Sequence, residues 1–319
     1  MYSILFTNVG KHCEIIQYFK SNGFRVTGTD IYQDNSIPAS SCCDSYYRIP
    51  FYKDKSYAAA ILDICLAEDV KLVFPLSHND IFIIDEQRDI FRKSGVFLLL
   101  PERDILLKCM NLWERFIAFR HLSVPTPQTW LPSQISISKF DYPLYFKSID
   151  SLSQYPNQIV KNARELNFFL SECKASVIQE IITGKEYVIN ILSDIRGRVV
   201  SLYPVNVNIR KTSNTRIFTL EKSNDIFRKI SDIAVLFELT GPSSIKFIYN
   251  EENEKSYIIS IKPGFDNSVL LTMKAGPFYA KAFKSFIKGW DILPNADDHN
   301  LNMSMFFYEK PFFYQNKNK

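Results

Sequence analysis

Glycine is scarce in this chain. Ten glycines occur in 319 residues, and none lies between Gly95 and Gly184. A dinucleotide fingerprint needs three glycines at fixed spacing so that bare backbone can approach a pyrophosphate. The first apolar run, "SILFTNV", is followed by a lone Gly10, so that fingerprint is absent. No apolar stretch reaches the roughly 20 residues a bilayer demands, and "MYSILFTNVGK" lacks the basic start of a signal peptide, so no membrane partner is expected. Charge of one sign is also missing: 38 Lys and Arg face 34 Asp and Glu, for a net charge of +4. The two signs are interspersed, which argues against a nucleic-acid footprint. The six cysteines form no CxxC pair, and the four histidines have no metal-ligand spacing. Most of the cysteines sit in apolar helical patterns, where a free thiol acts as a small hydrophobe. Cys42-Cys43 lies in a polar loop. A reducing cytoplasm is the expected compartment.

What is present is alternation. Residues 11–22 place Cys13, Ile16 and Phe19 at helical spacing, and "FRVTGTDI" makes a second strand ending at Asp30. Residues 55–69 predict a helix with Ala59, Leu62, Cys65 and Leu66 inward. "KLVFPLS" reads as a buried strand, residues 80–93 as a helix and "GVFLLLP" as a strand. Continuous apolar strands between amphipathic helices predict a Rossmann-like parallel sheet covered on both faces. From about residue 103 the pattern changes. "DILLKCMNLWERFIAFRHL" predicts one long amphipathic helix stopped by "VPTP", followed by strand "YPLYFKS", helix "NARELNFFLSEC" and strand "ASVIQEII". Residues 184–210 predict a hairpin turning at Asp194-Gly197, residues 224–239 a helix, and "SSIKFIYNEENEKSYIISIKP" a second hairpin. The fold class is therefore α/β followed by α+β, with antiparallel sheets in the second part.

In this order the residues resemble the ATP-grasp superfamily, and within it the short proteins that look like half of a carbamoyl-phosphate synthase large subunit. "SVPTPQTW" is similar to the linker after the family's central helix, "YPLYFKS" to the strand whose lysine contacts phosphate, and "VIQEIITGKEYVINIL" to the hinge that holds adenine and ribose. "ELTGPSSIKFIY" and "YIISIKPGF" resemble the two strands that carry metal ligands, and "LLTMKAG" follows as in the family. The resemblance implies a pre-ATP-grasp domain over 1–105, a central helix with a small subdomain over 106–182, a large subdomain over 183–295 and a tail over 296–319. It implies ATP as the ligand, with Lys147 on phosphate and Glu180 and Glu186 on the adenine-side backbone and the ribose. A carboxylate suits a ribose because it accepts hydrogen bonds from two adjacent hydroxyls. The plainer reading makes them a surface lysine and two solvated strand-edge acids.

The chain departs from the family where phosphate and metal would sit. The family's phosphate loop is glycine-rich, but "SIDSLSQYPNQIV" holds no glycine, and Pro156 removes an amide donor. Leu112 stands where the resemblance expects a helix lysine. The metal-ligand positions are Lys246, Ser260 and Lys262, and a substrate-facing arginine position is Gly264. A protonated lysine has no lone pair for a metal, so Mg²⁺ is disfavoured. Strand alternation predicts Ser244, Lys246 and Ile248 on one face, beside Ile258, Ser260 and Lys262. Facing a cleft, the two lysines would neutralise an anion or pair with Glu180 or Glu186. Facing solvent, they would snorkel over a vestigial cleft, and a vestigial or locked cleft is the favoured expectation.

The expected function is a catalytically degenerate binding, regulatory or complex-forming module. The alternative is an active ATP-dependent carboxylate–amine ligase working through an acyl phosphate, with metal ligands from Asp266, Asn267 or Glu238. A third idea is a sensor at the N-terminal sheet's carboxyl edge, where "PLSHND" would lie beside Gly10; Ser77 and Asn79 read equally as helix caps. The expected partners are a nucleotide or another small anion. "MSMFFYEKPFFYQ" predicts docking on its own domain, with a homodimer or another protein contact as the other outcome.

Overall fold

Tyr2–Thr7 (β1) is buried at every position after the first, as an apolar strand must be when both sheet faces are covered. The computed structural model describes residues 2–77, 79–134, 140–150, 157–210, 215–222, 224–276, 278–292, 303–308 and 313. Around β1 lie Phe24–Asp30 (β2), Ser45–Arg48 (β3), Leu72–Pro75 (β4) and Phe97–Leu98 (β5), in the order β3-β2-β1-β4-β5. All four pairings are parallel, as the sequence predicts. Alternate residues feed two cores: Ile4, Phe6 and Phe74 meet Phe19 of helix Cys13–Ser21 (α1), while Leu5 and Val73 meet Ile61 of helix Tyr57–Ala67 (α2).

Three helical expectations need correction. The buried stripe of α2 is Tyr57, Ala58, Ile61 and Cys65; Ala59 and Leu66 are exposed, because the helix is rotated by about one residue from the predicted face. Residues 80–93 form two short helices, Ile81–Asp85 (α3) and Arg88–Lys93 (α4). The long central helix is likewise two, Arg103–Met110 (α5) and Leu112–His121 (α6). Asn111 causes that break. Its backbone is extended, and its side chain accepts from the amides of Trp113 and Glu114, so it stops α5 and caps α6.

A four-stranded sheet follows, ordered β6-β9-β7-β8 from Thr129–Trp130 (β6), Leu144–Ser148 (β7), Gln158–Val160 (β8) and Ser176–Gln179 (β9), with helix Ala163–Glu172 (α7). The third sheet is ordered β14-β13-β10-β11-β12-β15. Its two predicted hairpins are Lys185–Ser193 (β10) with Val199–Arg210 (β11), and Gly241–Asn250 (β13) with Lys255–Pro263 (β14). Thr215–Leu220 (β12) and Ser304–Phe307 (β15) were not foreseen. On one face Ile189, Ile191, Ile245, Phe247 and Ile258 pack against Phe227, Ile230, Ile233 and Phe237 of helix Asp225–Leu236 (α8). Each such side chain contributes about 1.5–3 kcal/mol, and a one-residue slip would expose them all, so this face fixes the register.

The opposite face is covered at one end only. Helices Val269–Ala275 (α9) and Phe278–Lys288 (α10) join the large sheet to the N-terminal one, with Phe283 against Phe19 and Phe74. The tail does dock on its own chain: β15 pairs with β12, Met305 and Phe307 pack against the first core, and Phe306 and Tyr308 stay exposed. Among the described residues no helix is long and apolar enough to cross a membrane.

Candidate anion-binding cleft

The break at Asn111 sets the direction of α6 and thereby aims Arg115. Leu112, Arg115, Phe116 and Phe119 make the buried stripe of that helix, so an arginine occupies a core position. Its guanidinium donates to the Cys109 carbonyl (2.6 Å) and the Ile259 carbonyl (3.5 Å). Burial lowers its pKa to about 10. Ile259 is the extra residue of a bulge: Lys246 pairs with Ser260, yet Phe247 pairs with Ile258. The bulge corrects one expectation, because it turns Ile258 into the core while Ser260 and Lys262 keep the other face. The linker holds this edge too, since Pro125 accepts from the Ile258 amide (2.9 Å) and Thr126 Oγ1 donates to its carbonyl (3.0 Å).

Lys147, on β7 of the smaller sheet, is half-buried. Its Nζ donates to Gln179 Oε1 (2.7 Å) and lies 4.6 Å from the Tyr145 ring centre. Burial, with Arg115 and Lys246 nearby, lowers its pKa to about 8. Lys246 forms an ion pair with Glu186 on the neighbouring strand. Lys262 is solvent-accessible, and its lowered pKa reflects first the enclosing walls, then Lys246, Arg115 and Arg216, against the opposing charge of Asp266. Beside these lies a hollow of about 390 Å³, open mouth included, lined by Glu186, Val207, Arg216, Lys246, Asp266 and Asn267 among others. That is the low end of ligand pockets, roughly 300–1,000 Å³, and suits a small group. Asp266 Oδ1 accepts from the Ser268 amide (2.9 Å), and Ser268 Oγ accepts from Asn190 (2.8 Å), which anchors this loop. Among the described residues Lys262 and Arg216 have no hydrogen bond or ion pair.

Of the residues singled out in the sequence, the structure gathers Lys147, Glu186, Lys246 and Lys262 around one cleft. Glu180 is committed elsewhere: its carboxylate accepts from the Gln128 amide (2.7 Å), and its own amide donates to the Gln128 carbonyl (3.0 Å). Glu238 is exposed just past α8 and does not line the hollow. The glycine-free segment lies largely outside the described residues, at 151–156. Arg115 and Arg216 were missed. The spacing of Leu112, Arg115, Phe116 and Phe119 marks Arg115 as buried, whereas Arg216 sits on a strand with no sequence warning.

The N-terminal edge is built otherwise. Asp30 accepts from the amides of Gly10 (3.0 Å) and Ile31 (2.8 Å), which is turn chemistry. Asp80 is fully buried, and its Oδ2 accepts from Thr7 (2.5 Å), Asn8 (2.8 Å) and Tyr57 (2.7 Å). Burial raises its pKa to about 6. Ser77 Oγ accepts from the Asn79 amide (3.3 Å), as a turn residue would, and His78 lies outside the described residues.

Two family models match: one described as "ATP-grasp domain" over residues 109–268, the other as "PylC-like, N-terminal domain" over residues 4–99. Neither description is specific to carbamoyl-phosphate synthase. No curated protein matches the sequence. Among solved structures the fold is similar to Rhizobium etli pyruvate carboxylase (TM-score 0.74, 14% identity), with 95% of this chain covered but only 30% of that one. The biotin carboxylase domain of Hydrogenobacter thermophilus 2-oxoglutarate carboxylase, solved with MgADP, ADP and bicarbonate, gives TM-score 0.74 at 14% identity, covering 95% and 73%. The L-amino acid ligase of Bacillus licheniformis gives 0.68 at 15%, covering 90% and 74%. Identities this low establish a shared fold.

Proposed function

This chain belongs to the ATP-grasp family, and on that premise we propose that its cleft binds a phosphate-bearing or similar small anion without a divalent metal, as a catalytically degenerate binding module. One observation carries the reading. Lys246 is held in an ion pair by Glu186, and Lys262 lies across from it, at positions where the resemblance expects metal ligands. An ammonium offers no lone pair. At an effective dielectric of about 20, Mg²⁺ between two such groups would meet several kcal/mol of repulsion. Lys147, Lys262 and Arg216 would instead supply positive charge to phosphate oxygens, with Arg115 adding to the field from below.

A second reading has its own support. Asp266 and Asn267 line the same hollow as Glu186, as an active carboxylate–amine ligase with unusual metal ligands would require. Against it, Glu186 is tied to Lys246 and Asp266 Oδ1 to a backbone amide. Among the described residues no three His, Cys, Asp or Glu side chains converge as a metal site would need.

The module would act in the cytoplasm, in keeping with six free cysteines. Its proposed units are 1–105, 106–182 and 183–295, with β15 of the tail joined to the third. A homodimer or protein contact would use Phe306 and Tyr308. Thermal melting with ADP in EDTA and in Mg²⁺ tests the function. A ligand at 100 times its Kd stabilises by about 2.7 kcal/mol. The expected outcome is the same upward shift in both buffers. A shift only with Mg²⁺, or phosphate release from ATP with a carboxylate and an amine, would overturn the reading.

A further inference from the structure

We propose that Lys147 is a carbonyl-reactive amine, and that the cleft holds an anionic aldehyde or ketone through it as a reversible Schiff base. Recognition of the ligand's charge rests on the anion-binding reading above; the covalent bond goes beyond it.

The case begins with an imbalance of charge. Arg115 is buried, and its recorded partners are carbonyls, which carry no full negative charge. The charges acting on Lys147 Nζ are Arg115 from α6 and Lys246 from β13, and no carboxylate among the described residues acts on it. Glu186, the acid of the facing sheet, is occupied by Lys246. Three cations sharing an enclosed cleft relieve their repulsion when one releases a proton. A guanidinium holds its proton more tightly than an ammonium, so the lysine yields first. Burial and both neighbours accordingly bring Lys147 to about 8. The Tyr145 face opposes this by favouring the charged form, but it is a single contact set against two full charges.

Geometry holds the amine in place. Lys147 stands on an interior strand flanked by β8 and β9. Gln179 accepts from its Nζ and is itself fixed by donating to Thr129 Oγ1 (2.9 Å). A desolvated lysine beside other cations is an activated nucleophile. Its lone pair would attack the carbonyl carbon, forming a C–N bond while the carbonyl oxygen takes a proton from water. The carbinolamine then loses water as the C=N bond forms. Amine plus carbonyl gives imine plus water, with no change of oxidation state. Lys246 and Lys262 would attract the ligand's phosphate or carboxylate and so hold its carbonyl near Lys147.

Pyridoxal 5′-phosphate, followed by borohydride reduction and peptide mass mapping of the full chain, is the test, with phosphate-free pyridoxal as the control. The expected result at pH 8 is one reduced adduct at Lys147, absent in Lys147→Arg and falling about tenfold or more at pH 6 as the amine protonates. The phosphate form should label about tenfold faster than pyridoxal. Adducts spread over other lysines and unchanged in Lys147→Arg would overturn the proposal; if ADP still shifts the melt, the anion reading survives that failure. Equal labelling of Lys147 by both aldehydes would leave the reactive amine standing and overturn anion recognition. Lys147→Arg keeps a cation in place, and its unfolding midpoint separates lost chemistry from a lost fold.

Discussion

The molecule buries charge in two places, and it builds them in opposite ways. At the N-terminal sheet edge the Asp80 carboxylate is enclosed by three donors drawn from β1, the turn after it and α2. In the cleft Arg115 is equally enclosed, but carbonyls and two further cations surround it. The first charge is satisfied within the chain and ties three elements together. The second leaves a positive field that a ligand would complete. A buried ion marks architecture or a site according to what faces it, and burial alone does not distinguish them.

The largest expected effect breaks the first region. Asp80→Ala would strand the Thr7 and Tyr57 hydroxyls and the Asn8 amide, costing about 3 kcal/mol in urea unfolding while anion binding in the cleft persists. A loss of anion binding with stability intact would invert the assignment of the two regions.

Acidity sharpens the contrast. Asp80 is raised from 3.8 to about 6, so the folded chain holds a proton that the unfolded chain has released. Its contribution is fully present below about pH 4 and is lost as pH rises through 6. Lys147 is lowered from 10.5 to about 8, so between those values the unfolded chain binds the extra proton and stability rises with pH. Each slope is bounded by about 1.4 kcal/mol per pH unit. Unfolding measured against pH should show Asp80→Asn flattening the acidic window and Lys147→Met the alkaline one. Either variant flattening both windows would contradict the separation.

The smallest effect comes from the one acid paired inside the cleft. Glu186→Gln frees Lys246 and should tighten anion binding by less than about 1 kcal/mol, read as a few-fold lower Kd for ADP. Weaker binding would mean that Glu186 itself contacts the ligand.

Much of the architecture was legible because hydrophobic periodicity carries it. The N-terminal alternation and both hairpins of the large sheet lie where the apolar patterns place them. Local chemistry hid the rest. Asn111 splits a continuous apolar pattern because side-chain capping competes with helix propagation. A one-residue bulge at Ile259 reverses the face of Ile258, and period-two counting cannot register an insertion. The pairing of Lys246 with Glu186 was one of the stated options, since cross-strand neighbours of opposite charge attract. Arg216 could not be placed, because β12 finds its partners only in β11 and in the remote β15.

The most direct measurement is a calorimetric titration of inorganic pyrophosphate into the full chain in EDTA, repeated with Lys262→Gln. Saturable binding without metal, about tenfold weaker in the variant and weakened by salt, is the predicted result. No binding in EDTA, with binding restored only by Mg²⁺, would contradict a cleft whose own ammonium and guanidinium groups replace the metal.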